Sequence, residues 1–416
     1  MMNRFLYSFL LYLALPLVPL KLLWRGIKQP AYRQHWGERF GYYQVKMTKP
    51  IIWLHCVSVG ETRAAEPLIK ALQTRYPQHQ ILLTHGTPTG REASEALFGD
   101  TIHRVYLPYD LPFAVTNFLQ HFQPKIGLIM ETELWFNLIA ACKQRQIPLL
   151  LLNARLSEKS FNGYAKLGNL AREGIQNLNA IAAQTADDAE RLKYLGAQNV
   201  CVAGNLKFDV KPPVNIANKS AQLGALLGEN RTIFLATSTR TGEEALILKA
   251  VEGIDVLTVI VPRHPQRFNE VESLIKSAGF SYLRRSSLRG PANKNVQVIL
   301  GDSMGELFSY YATCDFTFIG GSLLPFGGQN LIEAATMGKP ILIGEHTFNF
   351  ADASENAVKA GAAIRVKCAA ELRQQIQFLI ANNDQRKLMQ QAALNFSAAA
   401  AGATTRLMAL IEAHIF

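Results

Sequence analysis

The chain has 416 residues, 49% of them hydrophobic, which is enough for two or three domain cores and too apolar for general disorder. Lys and Arg exceed Asp and Glu by 11, a balance that raises nucleic acid or a membrane surface as partners. Five cysteines (Cys56, Cys142, Cys201, Cys314, Cys368) are scattered with no CxxC pair. That excludes a disulfide framework and reads as reduced thiols, most of them buried, in a cytosolic compartment.

The charge concentrates at the start. Residues 1–50 hold eight Lys/Arg and one acid, Glu38, and so carry +7 of the net +11. This flank adjoins "FLYSFLLYLALPLVPL", Phe5–Leu20, which has no charge, so a membrane accounts for it better than nucleic acid does. A cleaved signal peptide lacks a convincing small-residue cleavage site and conflicts with reduced cysteines. A spanning helix needs about 20 apolar residues, and Pro16 and Pro19 interrupt this run. The reading adopted is a segment embedded in one leaflet, with its basic flank on anionic headgroups and the body on the cytoplasmic side.

After residue 50, short apolar runs alternate with helical patterns. The first set is "IIWLHCVSV", "ILLTHGT", "HRVYLP", "KIGLIME", "PLLLLNA", "AIAAQT" and "NVCVAGN". Each is apolar on both faces, as buried parallel strands are. The stretch over 208–231 is more polar, carries two prolines and reads as an interdomain connection. The alternation then restarts with "IFLATS", "LTVIVPR", "FSYLRR", "VQVILGD", "FTFIGGS", "PILIGE" and "AAIRVK". The fold class is α/β: two doubly wound, Rossmann-like domains, with the active cleft expected between them at the carboxyl ends of the strands. The expected boundaries are 1–49 for the anchor and basic flank, 50–210 for the first domain, 211–230 for the linker and 231–416 for the second domain. The alanine-rich end from Ala392 is expected to form a closing helix.

Polar residues gather just past the apolar runs. "VSVGE" has the strand, turn and helix of an anion site, yet it places Glu61 where an anion would dock. Pro67 suggests that the regular helix begins near Ala64, with Glu61 in the preceding loop. "METELW" offers Glu131 and Glu133, one of which can simply cap the next helix. "GNLKFD" puts Lys207 at the end of the first half. "VPRHPQRF" places Arg263, His264 and Arg267 after a strand, with His264 more readily structural. In "GGSLLPFGGQNLIEAA", Gly320–Ala335, glycines allow close backbone approach, and Asn330 opens a helix carrying Glu333. That pattern suits a nucleotide sugar. It is neither a GxxxxGK[ST] loop nor a GxGxxG fingerprint, so an ATPase and a nicotinamide cofactor are disfavoured. No H-E-x-x-H or D-x-D metal motif is present, and His85, His103 and His121 read as structural.

In order along the chain, "YRQHWGERFG", "HCVSVGE", "TPTG", "VYLPYDLP", "METELW", "NARLS", "GNLKFD", "VPRHPQRF", "GDSMGEL", "GGSLLPFGGQNLIEAA" and "HTFNF" resemble the 3-deoxy-D-manno-octulosonic acid (Kdo) transferases of Gram-negative bacteria. The resemblance implies a glycosyltransferase B fold and an enzyme at the cytoplasmic face of the inner membrane. It implies transfer of Kdo from CMP-Kdo to the lipid A precursor, lipid IVA, with inversion and with no metal or cofactor. By the same resemblance Glu61 is the catalytic base, and Glu131 and Lys207 stabilise the transition state. Pro262, Arg263, Met304, Gly305, Glu306, Asn330, Leu331, Ile332 and Glu333 bind CMP-Kdo. Arg240 and Thr241 depart from the family pattern, where His and Glu are usual, and Gln329 replaces a common His. The alternatives are a nucleotide-sugar 2-epimerase, which shares the fold but is usually soluble, and a membrane-attached nucleotide or lipid binder. The binder would not need Glu61, Glu131 and Lys207 together.

Overall fold

The computed structural model describes residues 2–228 and 231–415. It divides into two compact units: the chain up to Asp209 together with the residues from Ala401 on, and Val210–Ala400.

The first unit is built on a parallel sheet of seven strands: β1 (Ile51–His55), β2 (Gln80–His85), β3 (His103–Tyr106), β4 (Ile126–Met130), β5 (Leu149–Ala154), β6 (Ala180–Ala183) and β7 (Val200–Val202). Their order is β3-β2-β1-β4-β5-β6-β7. Every residue of β1, β4 and β5 is buried, which is why these segments read as unbroken apolar runs. One face packs Trp53, Val105, Ile129 and Leu151 against Phe118 and Phe122. The other packs Ile52, Leu54, Leu83 and Leu128 against Leu68 and Leu72. The chain steps outward from β1 through β2 to β3, then jumps back across β1 to β4. The crevice at the carboxyl ends of β1 and β4 is therefore the switch point, where open α/β sheets bind ligands.

The second unit repeats the plan with β8 (Ile233–Thr239), β9 (Leu257–Pro262), β10 (Tyr282–Arg284), β11 (Val298–Leu300), β12 (Phe316–Ile319), β13 (Ile341–Ile343) and β14 (Ala363–Arg365). The order is β10-β11-β9-β8-β12-β13-β14, so the switch lies between β8 and β12.

Two boundaries differ from expectation. The stretch 211–230 is not simply a connection: Ile216–Leu227 is a helix whose Leu223 and Leu227 are buried. The alanine-rich end is two helices, Asn383–Ala400 and Ala403–Glu412, separated at Gly402, whose φ is +93°. The last helix belongs to the first unit, not the second. Its Ala403, Leu407 and Ile411 join the cluster around Leu68 and Leu72. The Asp209 carboxylate holds its start, accepting from the backbone N–H groups of Gly402 and Thr404. Cys201 and Cys368 are exposed, whereas Cys56, Cys142 and Cys314 are buried.

The N-terminal segment is also not a separate body. It forms α1 (Arg4–Ala14) and α2 (Leu17–Lys28), bent by 55° at the break. No single described helix is long and apolar enough to cross a membrane, although the bent pair together reaches that length and composition. Helix α1 docks on the first unit. Tyr7 donates to Asp110 Oδ2 at 2.9 Å, and Ser8 donates to Asn137 Oδ1 at 3.0 Å. The Tyr7 ring meets Phe136 edge-on at 5.3 Å. Asp110 is buried and also accepts from the N–H groups of Asn137 and Leu138. Burial pushes its carboxyl up to about 6, with these hydrogen bonds opposing. A raised carboxyl costs nothing below its ordinary value of 3.8, and the cost of burying its charge grows as pH rises toward 6.

Tyr7→Phe removes a donor from that carboxylate, so α1 should loosen by about 2 kcal/mol where Asp110 is charged. Amide exchange over α1 should speed up clearly at pH 8 and much less at pH 5, where Asp110 is largely protonated. Equal effects at both pH values would contradict the assignment.

Candidate active site

Glu61 lies in the first turn of the helix Val59–Ala64, not in a preceding loop. A second helix, Glu66–Arg75, begins one residue after Ala64–Ala65, with Pro67 in its first turn. Pro67 thus marks the second start, and the first is set by Ser58. Ser58 is the N-cap: its Oγ accepts from the Glu61 N–H at 3.3 Å and donates to Glu61 Oε1 at 2.7 Å. Oε2 accepts from the Val57 N–H at 2.7 Å. This is a capping box, in which cap hydroxyl and third-residue carboxylate satisfy one another's neighbours. Its sequence signature, S-x-x-E, is present in "SVGE".

Glu61 is 7% exposed. Burial raises its carboxyl above the ordinary 4.5, the bonds from Ser58 and Val57 oppose the rise, and nearby Glu131 adds to it. The helix dipole favours the charged form, but desolvation outweighs it, so Glu61 is a stronger base than its place at a helix start implies.

Glu131 follows β4, across the switch from Glu61. Its φ is +57°, a left-handed backbone that a non-glycine residue adopts at a cost. Asn153 at the end of β5 and Ser238 at the end of β8 have the same sign, at +52° each. Such strain collects where side chains must be aimed. Glu133 completes a carboxylate cluster. It is pushed up to about 7 by burial first, and then by Glu61 and Glu131. The sequence offers Glu131 and Glu133 together, with one of them able to cap the next helix. The helix Phe136–Gln144 instead has Trp135 at its cap position, with no side-chain cap bond.

Lys207 sits in a short turn, Leu206–Asp209, after the edge strand β7. A polar network carries that turn inward. Asn153 Oδ1 accepts from the Leu206 N–H at 3.0 Å, and Asn205 Oδ1 accepts from the Lys207 N–H at 3.0 Å. Gln184 ties the two asparagines together, donating to the Asn153 carbonyl and accepting from Asn205 Nδ2. The backbone of the Lys207 turn is thereby tied to the end of β5. His85 is structural: both ring nitrogens are engaged, by the Cys56 carbonyl and the Ser94 hydroxyl.

In the second unit the switch is organised by Glu243, which the sequence reading missed although "TGEE" directly follows β8. It is fully buried and accepts from the N–H groups of Arg240 at 2.9 Å, Gly321 at 2.6 Å and Leu323 at 3.0 Å. The loops after β8 and β12 are thus bound to one carboxylate. The glycine N–H at Gly321 is consumed here and is not offered to a ligand. Gly320 permits the close approach: a Cβ there would come within 2.6 Å of the Thr237 and Ser238 carbonyl oxygens.

The expected donor residues separate by exposure. Arg263, His264 and Met304 are exposed, and Gly305 has a φ of +77° with open space where a side chain would be. Glu306 pairs with Arg285 at 2.9 Å and accepts from Ser303, bracing that turn. Pro262, Leu331 and Ile332 are buried, so their side chains pack the core. Asn330 precedes rather than opens the short helix Ile332–Thr336: its Oδ1 caps the Ile332 N–H at 3.0 Å, and its Nδ2 donates to Glu333 at 3.1 Å. Arg240 lies 3.1 Å from the His264 ring and over Phe326. The cations Arg240, Arg263 and Arg267 hold His264 below its ordinary value, after burial. Arg267 is structural, forked onto buried Glu244 at 2.6 and 3.0 Å. Among the described residues no group of three or more His, Cys, Asp and Glu is placed to hold a metal.

Ser58→Ala removes the cap and should cost the first helix about 1 kcal/mol. Amide exchange should quicken over Val59–Ala64 and stay unchanged over Glu66–Arg75. A change shared by both helices would mean that they form one cooperative element.

Residues 34–210 match the family model described as 3-deoxy-D-manno-octulosonic-acid transferase (kdotransferase). The chain is 39% identical to the 3-deoxy-D-manno-octulosonic acid transferase of Bordetella pertussis, over 95% of this chain and 96% of that one. It is 37% identical to the enzyme of that name from Haemophilus influenzae, over 100% and 99%. In structure it resembles a glycosyltransferase from Rickettsia africae, with a TM-score of 0.58 at 17% identity over 89% of this chain and 99% of that one. It equally resembles a UDP-GlcNAc 2-epimerase from Neisseria meningitidis, with a TM-score of 0.58 at 17% identity over 88% and 100%. At such identity these two neighbours show the two-domain glycosyltransferase B architecture and nothing of the substrate. With close to 40% identity over its length to named relatives, the chain belongs to the 3-deoxy-D-manno-octulosonic acid transferase family and is a glycosyltransferase.

Proposed function

We propose that the enzyme transfers Kdo from CMP-Kdo to a hydroxyl of the lipid A precursor, lipid IVA, with Glu61 as the general base. The observation that carries this reading is the placement of Glu61 and Glu131 after the two strands that flank the first unit's switch point. Glu61 is there held rigid and raised in basicity. The acceptor oxygen bonds to the anomeric carbon of Kdo as its proton passes to Glu61. The bond from that carbon to the CMP phosphate breaks, and its electron pair leaves with CMP. Inversion follows from attack opposite the leaving group.

The donor carries a phosphate and a sugar carboxylate. The exposed Arg263 and the half-buried Arg240 of the second unit suit these groups, as does the open backbone at Met304–Gly305. Lys207, fixed by the Asn153–Gln184–Asn205 network, is suited to offset charge that builds on the donor. Burial, helped by Glu131, keeps the Glu61 carboxyl raised. Glu133 itself holds a proton over part of the neutral range.

Attachment to the cytoplasmic face of the inner membrane belongs to the same proposal. Phe5, Phe9 and Leu13 of α1 are 83%, 56% and 68% exposed at four-residue spacing, and Leu20, Trp24 and Ile27 of α2 are also exposed. With the basic excess of residues 1–50, these helices suit a bilayer surface carrying anionic lipid. The docking of Tyr7 and Ser8 makes α1 a fixed part of the first unit, lying along the surface.

Glu61→Gln should lower transfer by about 10²–10⁴-fold, measured as lipid-linked product by mass spectrometry from purified CMP-Kdo and lipid A precursor, with CMP binding retained. In the wild type the rate should fall as pH drops through a value above 4.5, because the base must be ionised. Undiminished transfer by the variant would overturn the role of Glu61.

A further inference from the structure

A groove of about 480 Å³ lies on the first unit beside α1. Phe5, Phe9 and Tyr12 of α1 form one wall, and Val115 and Ala141 lie on the other. Arg4 and Arg145 also line it, and no lining residue is acidic. Neither arginine enters an ion pair among the described residues. The polar floor is already satisfied. Asn137 accepts from Ser8 and donates to the Asp110 carbonyl, and the Asp110 carboxylate is taken up by Tyr7, Asn137 and Leu138. An apolar guest would therefore strand none of these groups.

We infer that this groove seats one acyl chain of an anionic phospholipid, with its phosphate met by Arg4 and Arg145. The inference rests on the membrane-surface reading above and makes it specific: a lipid lifted partly out of the bilayer, clasped between α1 and the body. The apolar walls match a hydrocarbon chain, and the two guanidinium groups, which have no carboxylate partner among the described residues although Arg145 also donates to the Ala141 carbonyl, match a phosphate. The wall helix also carries exposed Phe5, Phe9 and Leu13, so the groove continues into the surface offered to the membrane. Two copies of this chain would bring the same +7 flank together, and that repulsion disfavours a second copy as occupant.

The test uses the full chain with phosphatidylcholine vesicles containing phosphatidylglycerol whose acyl chain carries a photoactivatable diazirine. Crosslinks should appear on the body wall, in the peptides around Val115 and Ala141, as well as on α1. Ala141→Trp fills the groove and should cut the body-wall crosslinks several-fold while transfer assayed in detergent continues. Arg145→Gln, which adds no bulk, should lower the preference for phosphatidylglycerol over phosphatidylcholine vesicles several-fold. Crosslinks confined to α1 and indifferent to Ala141→Trp would overturn the inference and leave the membrane reading standing. Crosslinks joining two protein copies in place of lipid would overturn it in favour of self-association. No binding to either vesicle would overturn the membrane reading itself.

Discussion

The hold that Ser58 and Val57 exert on the Glu61 carboxylate governs the geometry of the first unit's site. Two bonds of 2.7 Å fix both oxygens at the mouth of β1, and the Ser58 cap, three residues past the strand, starts the helix. A buried carboxylate without donors would be expensive. With these donors it stays available, and its residual desolvation becomes basicity. The same bonds give the helix its start and the carboxylate its fixed orientation, so the helix and the proposed base depend on one set of atoms. Glu131 then acts on a group that cannot turn away from it.

The second unit uses the same device for another end. Glu243 also follows the first strand of its sheet and also gathers backbone N–H groups, but it is wholly enclosed. It gathers them from both sides of its switch, from Arg240 after β8 and from Gly321 and Leu323 after β12. A carboxylate without solvent contact has no acceptor sites left for a substrate, and its effect is to shape the loops that do. The proposed donor contacts fall instead to Arg263 and Arg240 and to the open turn at Met304–Gly305.

Much of this was legible in the sequence because parallel strands buried on both faces are apolar along their length. "IIWLH" and "PILIGE" announce β1 and β13 without any knowledge of their neighbours. The helix Ile216–Leu227 was hidden because only Leu223 and Leu227 of it are buried and the two prolines just before it read as a linker. The partner of the last helix was hidden because Leu407 and Ile411 show an apolar stripe but not which core receives it; that choice is made by Asp209, nearly two hundred residues earlier. Pro67 misled about Glu61 because a proline marks a helix start without saying that another helix ended just before. The burial that raises the Glu61 carboxyl is not legible in "VSVGE", because it depends on what the folded chain packs around that turn, whereas the cap and the helix dipole can be read from position. Glu133 was passed over for the same reason: its coupling to Glu61 exists only once the strands bring the two loops together.

The central claim is that Glu61 is a fixed carboxylate whose proton affinity is raised by burial and by Glu131. The direct measurement is a carbon-13 NMR titration of the glutamate side-chain carboxyls, with the Glu61 signal assigned by its absence in Glu61→Gln. The account predicts a carboxyl that titrates above 4.5, and that moves down toward that value when Glu131 is replaced by Gln. A signal titrating at or below 4.5 and indifferent to Glu131 would contradict it.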